Sequence, residues 1–237
     1  LGSGDACPPD LGGRRGEAPC TGPDGRPITA FYGRLPDGTA VVEMAAATGL
    51  PLMEGHLCAE GATTYGVGEL LRAAVHAGAK RVILGLGGSA TNDGGCGCAA
   101  ALGIHFLDRD GVPFVPVGGT LDRLDRIDAS GLDPAVRAAD ITVMCDIDNP
   151  LCGPNGASAV FGPQKGAGPE MVARLDGNLG HLADIIRRDL GMEIRDLPGS
   201  GAAGGMGGGM VAFLGGRLQM GIETVLDTVG FDAMVQG

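Results

Sequence analysis

The sequence predicts an α/β protein with a mixed sheet and flanking helices, on three observations. Short apolar runs alternate with stretches of helical period along most of the 237 residues. That length suits one large α/β domain or two small ones. The segment Arg81–Gly95, RVILGLGGSATNDGG, reads as a strand, a polar turn and a helix start in direct succession.

The elements follow in order. Residues 1–20 are rich in Gly, Pro and charge without a period, and are expected to be poorly ordered. Ile28–Tyr32 and Ala40–Met44 read as short strands joined across Leu35-Pro36-Asp37-Gly38, a hairpin-like pair. From Tyr65 to Ala77, the residues Val67, Leu70, Leu71, Ala74 and Val75 recur at helical spacing, and Gly78 closes the helix. Val82–Leu86 is a strand, Gly94–Leu102 a helix, and Ile104–Leu107 a strand turning at Asp108–Gly111. Ile141–Cys145 is a further strand that runs into Asp146-Ile147-Asp148-Asn149-Pro150. Leu151–Gly168 predicts a long loop. Pro169 opens the longest helix, which Gly191 stops. The run GSGAAGGMGGG, Gly199–Gly209, precedes a helical segment at Met210–Leu214, and a last helix is expected over about Ile222–Val229.

Composition narrows the function classes. Hydrophobic residues make up 44 % of the chain, which argues that its 46 glycines serve turns and not disorder. With two Tyr, six Phe and no Trp, the core must rely on aliphatic side chains. A net charge of −11, with no basic cluster longer than two residues, argues against nucleic-acid binding. No apolar run approaches membrane-spanning length, and LGSGDACPPD lacks the charged and apolar regions of a signal peptide. Seven cysteines without framework spacing predict free thiols in a reducing cytoplasm.

Four groupings carry chemistry. In the first, Gly87 and Gly88 let the backbone approach a ligand, and Ser89, Thr91 and Asn92 add donors beside a helix N-terminus. That is a cradle for a phosphate or carboxylate, unless Thr91 or Asn92 is simply a helix cap. In the second, Asp146 and Asp148 follow a strand at its carboxyl end, where ligands of α/β sheets gather. The pair either binds Mg²⁺ through oxygen or opens a turn at Asp148-Asn149-Pro150. In the third, Lys165 stands between Gln164 and Gly166 as a cation for an anionic group, or as an ordinary solvated lysine. The fourth is the Gly199–Gly209 run, which either forms a second anion turn or permits close helix packing. His56, His76, His105 and His181 have no ligand spacing, and no nucleophile elbow is present. A glycine cradle, carboxylates and a lysine together meet the needs of phosphoryl transfer.

These same segments resemble the glycerate kinase family of the bacterial type with two α/β domains. The matching blocks are TGPDGRPITAFYG (Thr21–Gly33), VVEMAAATGL (Val41–Leu50), TTYGVGELL (Thr63–Leu71), LGLGGSATNDGG (Leu84–Gly95), CDIDNPLCGPNGASAVFGPQKGA (Cys145–Ala167) and GSGAAGGMGGGMVAFLGG (Gly199–Gly216). The resemblance implies transfer of the ATP γ-phosphoryl group, with Mg²⁺, to a hydroxyl of D-glycerate. 2-Phospho-D-glycerate is the expected product, and 3-phosphoglycerate the alternative. It also implies a fold with the active site between a Rossmann-like domain and an inserted second domain.

By the resemblance, residues 21–237 correspond to the inserted domain and the Rossmann-like domain is largely absent, as are PDSFKGS-like, ADGGEGT-like and TGEG-like motifs. The chain is thus expected to be a fragment, inactive by itself, whose bare apolar interface predicts association, a homo-oligomer among the outcomes, or poor solubility. Carried onto this sequence, Asp93 and Lys165 are the expected catalytic residues. Gly87, Gly88, Ser89, Thr91, Asn92, Asn149 and Gln164 bind substrate or phosphate, and Asp146 and Asp148 hold the metal. Glu43 and Glu69 are expected to be structural. A non-catalytic anion-binding or interaction module is the reading from another class, and a metal-dependent phosphohydrolase a third.

Overall fold

A computed structural model describes residues 13–220. A six-stranded sheet organises them, in the order β1-β2-β3-β4-β8-β9, and a separate three-stranded sheet has the order β6-β5-β7.

The first three strands, β1 (Arg14–Thr21), β2 (Pro27–Arg34) and β3 (Ala40–Glu43), form an antiparallel meander. The β2–β3 turn is the one expected: Gly38 takes a φ of 84°, and its nitrogen donates to the Leu35 carbonyl at 2.9 Å. β1 corrects the expectation for residues 14–20. RRGEAPCT has no strand-like alternation, yet it pairs with β2 along its whole length. It lies at the sheet edge, where a proline such as Pro19 is tolerated because only one side of the strand must donate. Residues 1–12 lie outside the described residues.

After β3 come the single turn α1 (Ala45–Thr48), a 3-10 turn at Leu50–Met53, and α2 (Tyr65–His76). The apolar stripe of α2 is buried as its spacing predicts, with Val67, Leu70 and Leu71 fully inside. β4 (Arg81–Gly85) then joins β3 in parallel. α3 (Cys96–Ala101) leads to β5 (His105–Leu107) and β6 (Pro113–Phe114). A 3-10 segment at Gly118–Arg123 precedes β7 (Arg126–Asp128), which completes the small sheet. The sequence showed only β5 of these three strands, because two- and three-residue strands have no period to read.

α4 (Pro134–Arg137) is capped by Asp133, whose side chain accepts from the backbone of Ala135 and Val136. β8 (Asp140–Cys145) runs parallel to β4 and buries Ile141, Val143 and Cys145 on one face. The predicted loop 151–168 holds two short helical pieces, α5 (Ala157–Phe161) and a 3-10 turn at Pro163–Lys165. α6 (Pro169–Leu190) starts at its proline and ends at Gly191, which has a φ of 70°.

α7 (Ala202–Leu214) takes in most of the glycine run, and β9 (Arg217–Met220) closes the sheet parallel to β8. A mixed α/β fold is therefore present. The helix expected at Ile222–Val229 lies outside the described residues. One main core joins the two sheets, with Phe106 of β5 meeting Phe213 of α7 edge to face at 5.6 Å.

Candidate active site

β3, β4 and β8 are parallel, so the connections after Glu43, Gly85 and Cys145 emerge at one end of the sheet. There they enclose a pocket of about 230 Å³. Its walls are Leu86–Ser89 after β4, Met144–Ile147 at the end of β8, Phe161, Gln164 and Lys165, and Ala202–Ala203 of α7. A larger hollow of about 400 Å³ lies at the opposite end of the strands. Its two arginines are engaged there, Arg81 with Asp37 and Arg217 with Asp140, so chemistry favours the smaller pocket.

Gly87 and Gly88 are exposed on the pocket, and a Cβ at Gly87 would meet nothing within 4 Å. Ser89 is 6 % exposed and lines the same wall. The turn is held from one side by α1: the Leu50 nitrogen donates to the Gly88 carbonyl at 2.9 Å, and Ala90 donates to Thr48 at 3.0 Å.

Lys165 is the cation of the site and lies inside the protein. Its Nζ donates to the Thr91 carbonyl at 2.6 Å and reaches the Ser89 hydroxyl at 3.4 Å. Ser89 Oγ in turn is 3.1 Å from Thr91 Oγ1 and accepts from the Thr91 nitrogen at 3.1 Å. Burial pushes the ammonium down to about 8, while the negative charge of Asp93 opposes that fall. The solvated-lysine reading is excluded for this residue, which is 2 % exposed.

Asp93 lies deeper. Its side chain is fully buried and does not line the pocket. Oδ2 accepts from the Thr64 nitrogen and hydroxyl, each at 2.8 Å, and from the Gly97 nitrogen at 3.2 Å. Oδ1 accepts from the Gly95 nitrogen at 3.0 Å. The donors at the start of α3, read from sequence as available to a bound anion, are thus taken by the chain's own carboxylate. Burial raises the Asp93 pKa and these four hydrogen bonds partly offset the rise. Asp93 therefore has no face on this pocket, and its carboxylate holds the start of α3 to the residue before α2.

Thr91 and Asn92 also lie off the pocket wall. Both are fully buried, so their side chains face the interior. Asn92 Nδ2 donates to Ser158 Oγ at 3.1 Å, and its Oδ1 has no partner among the described residues. That bond joins the turn to α5, the element that leads to Lys165.

Asp146 is exposed and forms part of the pocket wall, whereas Asp148 is exposed away from it. The two carboxylates therefore do not line this pocket together. Asn149 is engaged elsewhere, donating to the Asn155 carbonyl at 2.8 Å, while Gln164 does line the pocket. Glu69 is structural as expected, accepting from the Thr21 nitrogen at 2.6 Å. Among the described residues no group of three or more His, Cys, Asp or Glu side chains could cage a metal ion.

The glycine run serves packing. A Cβ on Gly204 would stand 2.1 Å from the Thr91 carbonyl, and one on Gly209 at 2.1 Å from the Gly94 carbonyl. Only glycine lets α7 lie this close beneath the turn. Ala203, Gly204 and Gly205 are left-handed inside α7, and Ala203 is the only non-glycine residue with positive φ among those described. Thr64 and Ala203 were not singled out in the sequence. The Thr63-Thr64 pair before a helix was a usable signal, whereas nothing local marked Ala203.

The comparisons with known proteins bear on this arrangement. Residues 2–237 match the model of the glycerate kinase family. The chain belongs to the glycerate kinase family. It is 50 % identical to a glycerate kinase of Bacillus subtilis (strain 168) over 94 % of this chain and 59 % of that protein. It is 48 % identical to a glycerate 2-kinase of Escherichia coli (strain K12) over 90 % of this chain and 56 % of that one. A crystal structure assigned as glycerate kinase 2 from Salmonella typhimurium LT2 superposes with a TM-score of 0.92 at 47 % identity, covering 95 % of this chain and 61 % of that one. The chain thus spans about three fifths of the length of these glycerate kinase relatives. Among the described residues no helix is long and apolar enough to cross a membrane.

Proposed function

We propose that this chain is the phosphate- and acceptor-binding part of an ATP-dependent glycerate kinase, which phosphorylates the 2-hydroxyl of D-glycerate to give 2-phospho-D-glycerate. Within that enzyme the described fold corresponds to the inserted α/β domain, acting in the cytoplasm, where its unpaired thiols are at home. The observation that carries the reading is the Lys165 ammonium set against the Gly87–Ser89 turn, with Asp146 on the same pocket wall.

Phosphoryl transfer asks the protein mainly for positioning and for charges around the moving group. Gly87 and Gly88 leave room for an anionic oxygen at the turn, and Ser89 presents a hydroxyl to it. Lys165 supplies positive charge that cannot swing away, because Thr91 and Ser89 hold its Nζ. Gln164 adds a neutral amide able to bond the glycerate hydroxyls or carboxylate. Leu86, Met144 and Phe161 give the pocket an apolar side that strengthens these electrostatic contacts.

Mg²⁺ fits the donor set, since it commonly takes one or two carboxylates plus substrate phosphates and waters. Asp146 is the residue that would hold it, and the ion would neutralise phosphate charge there. Asp93 contributes indirectly, by fixing the start of α3 and hence the turn above it.

The test is ADP release with D-glycerate and ATP, run on this chain and on a version extended to the length of its relatives. Proton-coupled phosphorus NMR of the product then distinguishes a phosphate on the CH carbon, a doublet, from one on the CH₂ carbon, a triplet. Release of inorganic phosphate without glycerate, or no ADP from the extended protein, removes the kinase reading.

A further inference from the structure

The chain carries fifteen arginines and only two lysines, Lys80 and Lys165. Their surroundings are opposite. Lys80 is exposed in the turn between α2 and β4, whereas Lys165 is 2 % exposed and forms part of the pocket wall. Two protein oxygens accept from the Lys165 ammonium, which leaves one of its three N–H bonds without an acceptor among the described residues. Leu86, Met144 and Phe161 give the pocket an apolar side, Asp146 and Gln164 stand on its wall, and the exposed Gly87–Gly88 turn and Ser89 offer donors for an anion.

We propose that Lys165 is a covalent carbonyl-binding site, at which short anionic aldehydes and 2-oxo acids condense with its amine while their carboxylate or phosphate rests on the Gly87–Ser89 turn. The nitrogen lone pair attacks the carbonyl carbon, and the C=N bond of an imine replaces the C=O bond. The carbonyl oxygen leaves as one water molecule and takes both amine protons, so nothing is oxidised or reduced. An arginine at 165 could not do this, because a guanidinium keeps its proton. Burial supports the step, since an amine brought down to about 8 has a reactive free-base fraction at neutral pH. The site stands on the pocket and its lysine alone and does not depend on phosphoryl transfer. The acids in question include those that carry a carbonyl where a hydroxy acid carries its hydroxyl, so such compounds would block the pocket reversibly.

The experiment treats the protein at pH 7 with glyoxylate and cyanoborohydride, which reduces an imine to a stable carboxymethyl amine, and maps the adduct by peptide mass spectrometry. Lys80 is the internal control. Labelling of Lys165 over Lys80 by at least about tenfold, suppressed by inorganic phosphate, is the expected result. Equal labelling, or preference for Lys80, overturns the proposal. Propionaldehyde, an uncharged probe, should lose most of the selectivity; if it labels Lys165 as selectively as glyoxylate does, the turn is not steering anions and the proposal fails. No turnover enters this readout, so its failure and a failure of the kinase reading are separate results.

Discussion

The Nζ atom of Lys165 lies 2.6 Å from the carbonyl oxygen of Thr91, and both residues are buried. This contact joins the turn after β4 to the 3-10 segment after α5, 74 positions apart in sequence. It fixes the cation of the pocket through the backbone, so its position does not depend on a bound ligand.

Burying that ammonium has a pH signature. The folded pKa of about 8 lies below the ordinary lysine value of 10.5. Below pH 8 both the folded and unfolded states are charged, and the folded state bears the full penalty, on the order of 3 kcal/mol. As pH rises from 8 through 10.5 the penalty disappears. The melting temperature of the wild type should therefore gain on that of Lys165→Met over this window. A constant difference from pH 7 to 10 would show that the amine is not held in a low-dielectric site.

Asp93 should behave as a structural clamp. Asp93→Ala leaves the Thr64, Gly95 and Gly97 donors unpaired in the interior, at a cost of about 3 kcal/mol or more. Denaturant unfolding should show that loss. A variant as stable as the wild type would mean that the carboxylate is not fastening α2 and α3 to the turn.

Two glycines make a contrasting pair. Gly204→Ala puts a Cβ 2.1 Å from the Thr91 carbonyl at a φ of 67°, so it should destabilise by at least about 3 kcal/mol and displace the oxygen that holds Lys165. Gly177→Ala, inside α6 with nothing within 4 Å, should instead stabilise by about 0.5–1 kcal/mol. Thermal melts of the two variants test both signs.

The two aspartates should separate in activity. In the protein extended to the length of its relatives, Asp146→Ala should raise the Mg²⁺ concentration needed for half-maximal ADP release by about tenfold or more. Asp148→Ala, which changes a side chain away from the pocket, should stay within about twofold. Equal effects would return Asp148 to the site.

Much of the fold was legible in the chain. The α2 stripe, the β2–β3 turn at Gly38, and α6 between Pro169 and Gly191 all rest on local period or on a residue with special backbone geometry. β1 and the short strands β6 and β7 were not legible, because β1 has no apolar alternation and strands of two or three residues carry no repeat. Gly87, Gly88, Ser89, Gln164, Lys165 and Asp146 were singled out from residue type and placement, and the structure gathers them around one pocket.

Residue types and their spacing were enough to settle the order of the main elements, the glycine turn after β4 and the membership of polar groups in one neighbourhood. Which of those groups lines the pocket was decided by folding. Thr91, Asn92 and Asp93 are polar and follow glycines, so in sequence they look like a binding loop. They are buried because Thr64, Ser158 and Gly204, at distant positions, approach them from α2, α5 and α7. A hydrogen bond to a neighbour and one to a ligand ask for the same side chain, and only three-dimensional packing settles which partner arrives.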